Sequence, residues 1–188
     1  MLNTQFIKGE YDAVCYFGYH TMEGTLGGVL AHTMNSKKNQ YYKLNGKYIG
    51  EIDMDQYIAA SHGMSSCLFV GGDIAVSQAK RTVPEIITVI TKKELSRNAA
   101  VFRNNDELLA EIRAKAADVI SSEIPMYTLT FPATMEKSYK RMEDAAEYIK
   151  KLISLGIDAK YPDDEILGKD AHTVVSVVNN IDEFIKSI

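Results

Sequence analysis

Ala13-Val14-Cys15-Tyr16-Phe17-Gly18-Tyr19, which runs without a charge into His20, decides how the rest of the chain is read. A nearly continuous apolar run of this length is the pattern of a strand covered on both faces, as in a parallel sheet. The run stops at His20, so that imidazole is expected at the strand's carboxyl end. In open α/β sheets that edge is where ligands bind.

Outward from this strand, Gly24, Gly27 and Gly28 permit a tight backbone path through 21–28, ahead of a second histidine, His32. Residues 41–44 and 47–49 flank Asn45-Gly46, a strong hairpin signal, and the second arm leads into Gly50-Glu51. Over 52–62 the pattern turns helical, with Ile52, Met54, Ile58 and Ala59 on one face. Residues 66–70 read as another buried strand, closed by Gly71-Gly72-Asp73, and Asp73 is expected to cap a short helix over 74–81. A third strand is expected at 86–90, and 92–101 fits no single pattern. Asn104, with Glu107 three residues on, opens a helix expected to bury Leu108, Leu109, Ile112, Ala116, Val119 and Ile120.

Pro125 marks a boundary. Beyond it the alternation over 126–131 predicts a half-buried strand. A long helix is expected from about residue 136, with Tyr139, Met142, Ala146, Ile149 and Ile153 on one face and Gly156 as its stop. A strand at 173–178 and a short helix at 181–188 complete the chain. The expected fold class is therefore α/β, with a mainly parallel sheet flanked by helices and a smaller C-terminal α/β lobe. Residues 1–124 are expected to form the core carrying the site, and 125–188 the lobe.

At 188 residues the chain is long enough to bury a substantial interior. No apolar run approaches the roughly 20 residues of a spanning helix, and residues 1–10 are too polar for a signal peptide, so no membrane role is expected. The net charge of −4 arises from 25 acids and 21 bases spread without blocks, which argues against nucleic acid as a partner. Cys15 and Cys67 lie in strand-like runs, where thiols pack as small hydrophobes. Without an export signal, a reducing cytoplasm is the expected compartment, a single buried disulfide being the alternative.

Imidazole nitrogen and carboxylate oxygen suit zinc, and a catalytic zinc keeps one position open for water. His20, His32 and Glu51 are the candidates for such chemistry. Each has a plain alternative: a hydrogen-bonded strand-end histidine, or an acid favoured by the dipole of a helix N-terminus. His62 and Arg97 are candidates for the rim or for substrate contact; a helix-terminal histidine and an ordinary salt bridge are the bland readings.

Five blocks then weigh together. Phe17-Gly18-Tyr19-His20, Gly28-Val29-Leu30-Ala31-His32-Thr33-Met34, Leu44-Asn45-Gly46-Lys47-Tyr48-Ile49-Gly50-Glu51, Leu68-Phe69-Val70-Gly71-Gly72-Asp73 and Ser96-Arg97-Asn98-Ala99-Ala100 resemble, in order and spacing, the D-aminopeptidase family of dinuclear zinc peptidases. The similarity is strong over 12–101 and weaker towards the C-terminus. It implies that His20 and Glu51 ligate one zinc of a pair and that His32 is the catalytic histidine. It also implies release of N-terminal D-amino acids from short peptides, and assembly into a ring-shaped homo-oligomer.

The departures are equally specific. Family members begin with a strand ending in Asp-x-Glu-Gly and supply a further histidine after the next strand; no Asp-x-Glu-Gly precedes His20 here. Asp55 stands where asparagine is usual, and Ile74 replaces the second acid of a Gly-Asp-Asp block. The chain is thus expected to hold only part of the two-zinc ligand set, as a truncated or split form in which a separate chain supplies the missing segment. The alternative is a non-catalytic binding or assembly subunit that retains the fold.

Overall fold

A computed structural model describes residues 9–188; the first eight residues of the expected core segment lie outside the described residues. In chain order the first elements are β1 (Ala13–Phe17), β2 (Asn39–Leu44), β3 (Lys47–Ile49), α1 (Glu51–Ser61) and β4 (Ser65–Gly72). Next come α2 (Asp73–Thr82), β5 (Ile87–Ser96), β6 (Ala99–Phe102) and α3 (Asn105–Ile120). The last are β7 (Ala133–Tyr139), α4 (Met142–Ser154), β8 (Asp158–Lys160), β9 (Asp163–Asp164), β10 (Gly168–Lys169), β11 (Thr173–Val178) and α5 (Ile181–Ser187). The protein is α/β, in two compact units, and no helix among the described residues is long and apolar enough to cross a membrane.

The first unit comprises residues 9–31 with Glu51–Thr128. Its sheet has the order β1-β4-β5-β6, with β1, β4 and β5 parallel and β6 antiparallel. β4 is apolar on both faces because both are covered. Cys67 and Phe69 pack with Tyr16, Ile52 and the α2 residues Ala75, Val76 and Ala79. Leu68 and Val70 turn the other way, joining Val89 against the half-buried Leu108, Ile112 and Val119 of α3. That alternation of one strand between two cores is what period-two geometry requires.

The same apolar character misleads at β1. It is an edge strand, and only Tyr16 is fully buried, while Ala13, Cys15 and Phe17 are exposed. Among the described residues no strand pairs with its outer edge. Asn104 caps α3 as expected, accepting from the Asp106 and Glu107 amides, yet α3 buries no residue fully and leaves Leu109, Ala116 and Ile120 exposed. Asp73 does not cap α2: its Oδ1 accepts from the Ile74 amide and from the Glu94 amide at 2.8 Å, tying the helix start to β5. The patternless stretch 92–101 resolves into the β5–β6 hairpin.

The second unit comprises His32–Gly50 with Leu129–Ile188. Its sheet, β3-β2-β7-β11-β8, is antiparallel throughout. Asn45 and Gly46 both take positive φ, as a type I′ hairpin turn demands, and Asn45 exchanges two 2.8 Å hydrogen bonds with the Thr134 backbone. Lys43 lies opposite Glu136 in the β2–β7 register and pairs with it at 2.8 Å. A division of the chain at 124/125 takes no account of this pairing, which ties 32–50 to the C-terminal residues.

Two elements here differ from expectation. Residues 126–131 form no strand; the strand is 133–139, and the helix begins at Met142. Its buried face is Ala145, Tyr148 and Leu152, while Met142 and Ile153 are exposed. The helix ends as expected at Gly156 (φ 75°), with the Ile157 amide bonded to the Leu152 carbonyl and the Gly156 amide to that of Ile153.

On β7, Lys137 shares the inward parity of Met135 and Tyr139 and is 7% exposed. Burial, then the nearby Lys151 charge, lowers its ammonium to about 7. The unfolded chain keeps that proton up to the ordinary lysine range, so unfolding takes up a proton between about pH 7 and about pH 10. Relative to Lys137→Met, the wild-type free energy of unfolding is therefore expected to rise with pH across that interval. Urea unfolding of both proteins at several pH values checks this; a pH-independent difference contradicts it.

Candidate metal centre

β1 delivers His20 through a bend. Gly18 takes a φ of 74°, open to glycine without strain, and its amide still bonds the Val70 carbonyl at 3.0 Å. Tyr19 then anchors the turn: its ring packs edge-on to Tyr16 and against Phe69, and its hydroxyl donates to Asp55 Oδ2 at 2.5 Å. Asp55 is fully buried on α1. Burial and the adjacent Asp55 charge both raise the Tyr19 phenol above its ordinary value, so the hydroxyl remains a donor.

Glu51 is the first residue of α1. The helix is held in place two residues on, where buried Asp53 accepts from Arg81 at 2.9 Å and from the Thr82 hydroxyl at 2.8 Å. His20 Nε2 lies 3.5 Å from Glu51 Oε1, and its Nδ1 lies 3.0 Å from the Thr21 carbonyl. A proton on Nδ1, donated to that carbonyl, leaves Nε2 with its lone pair directed at the Glu51 side. This is the tautomer a metal-ligating histidine needs.

The loop after His20 is clamped from α2. Gln78 accepts from the Met22 amide and donates to the Thr25 hydroxyl, both at 2.9 Å. Gly28 is required here for space, since a Cβ would fall 2.0 Å from Thr21 Oγ1. Arg97 bonds the loop's end: its carbonyl accepts from the Leu30 amide, and its guanidinium donates to the Ala31 carbonyl at 2.5 Å. His32 follows Ala31 directly. One ligand atom from each of His20, His32 and Glu51 lies within 4.8 Å of the others, and all three residues are half-buried.

Of the five candidates the structure thus brings three together. His62 is not among them. It sits at the opposite end of α1 from Glu51, roughly 16 Å away along the axis, where Nδ1 contacts the Ile58 carbonyl at 2.8 Å. Arg97 acts on the backbone that leads into His32. The supporting residues Gln78 and Asp53 escaped the sequence reading, because a buried polar side chain on a helix has no spacing signature of its own.

Two imidazoles and a carboxylate at converging positions form a donor set suited to a zinc-type cation with an open fourth position. The fold and this cluster define an α/β protein with a candidate metal site. The family model for D-aminopeptidase matches residues 1–156, and the chain belongs to that family. It is similar to the D-aminopeptidase of Bacillus subtilis (strain 168), with 29% identity over 93 residues, which is 50% of this chain and 33% of the relative. A solved structure, the Zn-dependent D-aminopeptidase DppA from Bacillus subtilis, a self-compartmentalizing protease, superposes with a TM-score of 0.76 at 18% identity. That match covers 94% of this chain and 62% of the other, so this chain spans a third of the one relative's length and under two thirds of the other's.

Removing the Tyr19 hydroxyl strips the Asp55 carboxylate of a charged hydrogen bond. Tyr19→Phe is expected to cost about 1.5–3 kcal/mol, whereas Asp55→Asn, which keeps an acceptor for the hydroxyl, costs less. Urea unfolding measures both, and a loss for Asp55→Asn equal to or greater than that for Tyr19→Phe contradicts this ordering.

Proposed function

We propose that this chain is the histidine-bearing part of a zinc-dependent aminopeptidase that releases N-terminal D-amino acids from short peptides. The observation that carries the reading is the convergence of His20, His32 and Glu51 within 4.8 Å in a chain of the D-aminopeptidase family. His20 and Glu51 would hold the metal. His32 would act beside it, giving and taking protons at the reacting centre or attacking directly. Bound zinc supplies Lewis-acid polarisation of the peptide carbonyl. The protein's own contribution is orientation: Thr21 sets the His20 tautomer, Tyr19 and Asp55 hold the turn, and Arg97 fixes the backbone before His32.

Three donor atoms serve one ion and not two. A second zinc, as in the family's dinuclear sites, needs further ligands, and in this proposal another polypeptide segment supplies them, either continuous with this chain or separate. The protein works as a homo-oligomer in this reading, supported by the exposed side chains of Leu26 and Phe102 and by the self-compartmentalizing neighbour. We place it in the cytoplasm, consistent with Cys15 and Cys67 both being free thiols. The second reading, a binding or assembly subunit without catalysis, draws its support from the three-ligand cluster and the partial span of the relatives.

Zinc content and D-alanine release from a D-alanyl dipeptide test this, on the chain alone and with a polypeptide carrying the missing Asp-x-Glu-Gly segment. The expected result is weak zinc binding alone and activity only with the added segment. Glu51→Gln lowers zinc affinity by at least about tenfold, and His32→Ala abolishes release. No zinc under either condition, or full release by His32→Ala, overturns the catalytic reading.

A further inference from the structure

Every side chain from Asp163 to Lys169 is exposed, Ile166 to 93% and Leu167 to 68%. These residues are the β9–β10 hairpin of the second unit, and its tip has a fixed shape. Asp164 Oδ1 accepts from the Ile166 and Leu167 amides at 2.9 and 2.8 Å. Gly168 takes a φ of 73°, the left-handed position that closes a three-residue hairpin turn. Lys169 pairs with Asp163 across the base. An isoleucine and a leucine are thus held out in water on a preformed arm, beside the acids Asp164 and Glu165.

The first unit carries a recess of matching character. A groove of about 280 Å³ is lined by Leu30, Ala99, Ala100 and Phe102, with Arg97 beside them. Phe102 is 72% exposed and Leu30 56%, so this floor is apolar surface in contact with water. Lys92 lies opposite Phe102 in the β5–β6 register and therefore projects from the same side of that hairpin. The hairpin's one acid, Glu94, is buried, and burial raises its carboxyl above the ordinary range. Arg97 and Lys92 set the charge of the rim.

We infer that the 163–169 arm of one copy docks in the 97–102 groove of a second copy, with Ile166 and Leu167 on the apolar floor and Asp164 and Glu165 towards Lys92 and Arg97. The inference rests on the homo-oligomer proposed above and names its contact. A second copy is the occupant because this one chain carries both halves of the match, convex against concave and acidic against basic. The fixed turn lowers the cost of ordering the arm on docking. Arm and groove are different surfaces, so each copy gives one and offers the other. Such head-to-tail contacts close into a ring when their rotation allows.

Sedimentation velocity of the full chain tests this, with EDTA present so that the His20 cluster holds no metal. Wild type is expected to self-associate as concentration rises. Ile166→Asp in the arm and Phe102→Asp in the groove are each expected to weaken association at least about tenfold. Both side chains are exposed, so both variants are expected to fold. Mixed together, the two variants are expected to form a one-to-one pair that grows no further, because an intact arm meets an intact groove only once in it. Lys92→Glu is expected to weaken association about threefold or more, and Glu165→Lys to restore it. Association unchanged in both apolar variants, or a mixture of them that stays monomeric, overturns this contact alone. A wild type that is monomeric throughout overturns it together with the proposed homo-oligomer.

Discussion

The hydrogen bond from the Tyr19 hydroxyl to the buried Asp55 carboxylate joins the end of the first strand to the first turns of the first helix. The ligand-bearing residues depend on that joint, because each lies beside one of its ends: His20 follows Tyr19, and Glu51 lies one helical turn before Asp55. A carboxylate with no surface exposure is unfavourable unless charge-assisted hydrogen bonds hold it. Here the requirement is met by a phenol whose own ring is locked between Tyr16 and Phe69. The polar link is thereby fixed to the apolar core, and small movements of the strand end are resisted by packing as well as by charge.

This explains why an edge strand can serve as a platform for a site. β1 has one hydrogen-bonded neighbour among the described residues, and one face of it is open. Such a strand is ordinarily the least constrained part of a sheet. Its C-terminal end is constrained here by three separate devices: the Gly18 amide on Val70, the Tyr19 pair with Asp55, and the Gln78 clamp on the loop beyond. Rigid placement of the imidazole therefore does not require a complete sheet beneath it.

The sequence was most legible where one local rule acted alone. The Asn45-Gly46 turn, the Asn104 cap and the Gly156 stop all formed as their chemistry requires, and β4 lies buried on both faces as its apolar run implies. His20, His32 and Glu51, which the structure brings within 4.8 Å of one another, all lie in the ordered blocks. Where the reading failed, distant packing made the choice. Residues 136–139 carry apolar and polar positions compatible with a helix, but β2 and β11 pair on either side and draw them into a strand. α3 has an amphipathic stripe, yet the sheet face it meets is small enough to bury only half of it. Lys137 carries no sequence signature of burial, because only the tyrosines brought up by β2 and α4 make its position an interior one.

The two polar interiors also differ in how they manage charge, and the difference bears on what each can do. In the first unit Asp53 and Asp55 are each matched by donors within the chain, so those carboxylates are spent on holding α1 in place. Lys137, in the second, meets three ring faces and the Ile188 main-chain oxygen, and burial, then the Lys151 charge, loosens its hold on the proton. A buried ion whose donors and acceptors are matched rigidifies a fold, whereas one held mainly by packing shifts towards its neutral form. By that reasoning the aspartates of α1 hold their unit through charge-assisted bonds, and the lysine of β7 is held in place chiefly by the rings packed around it.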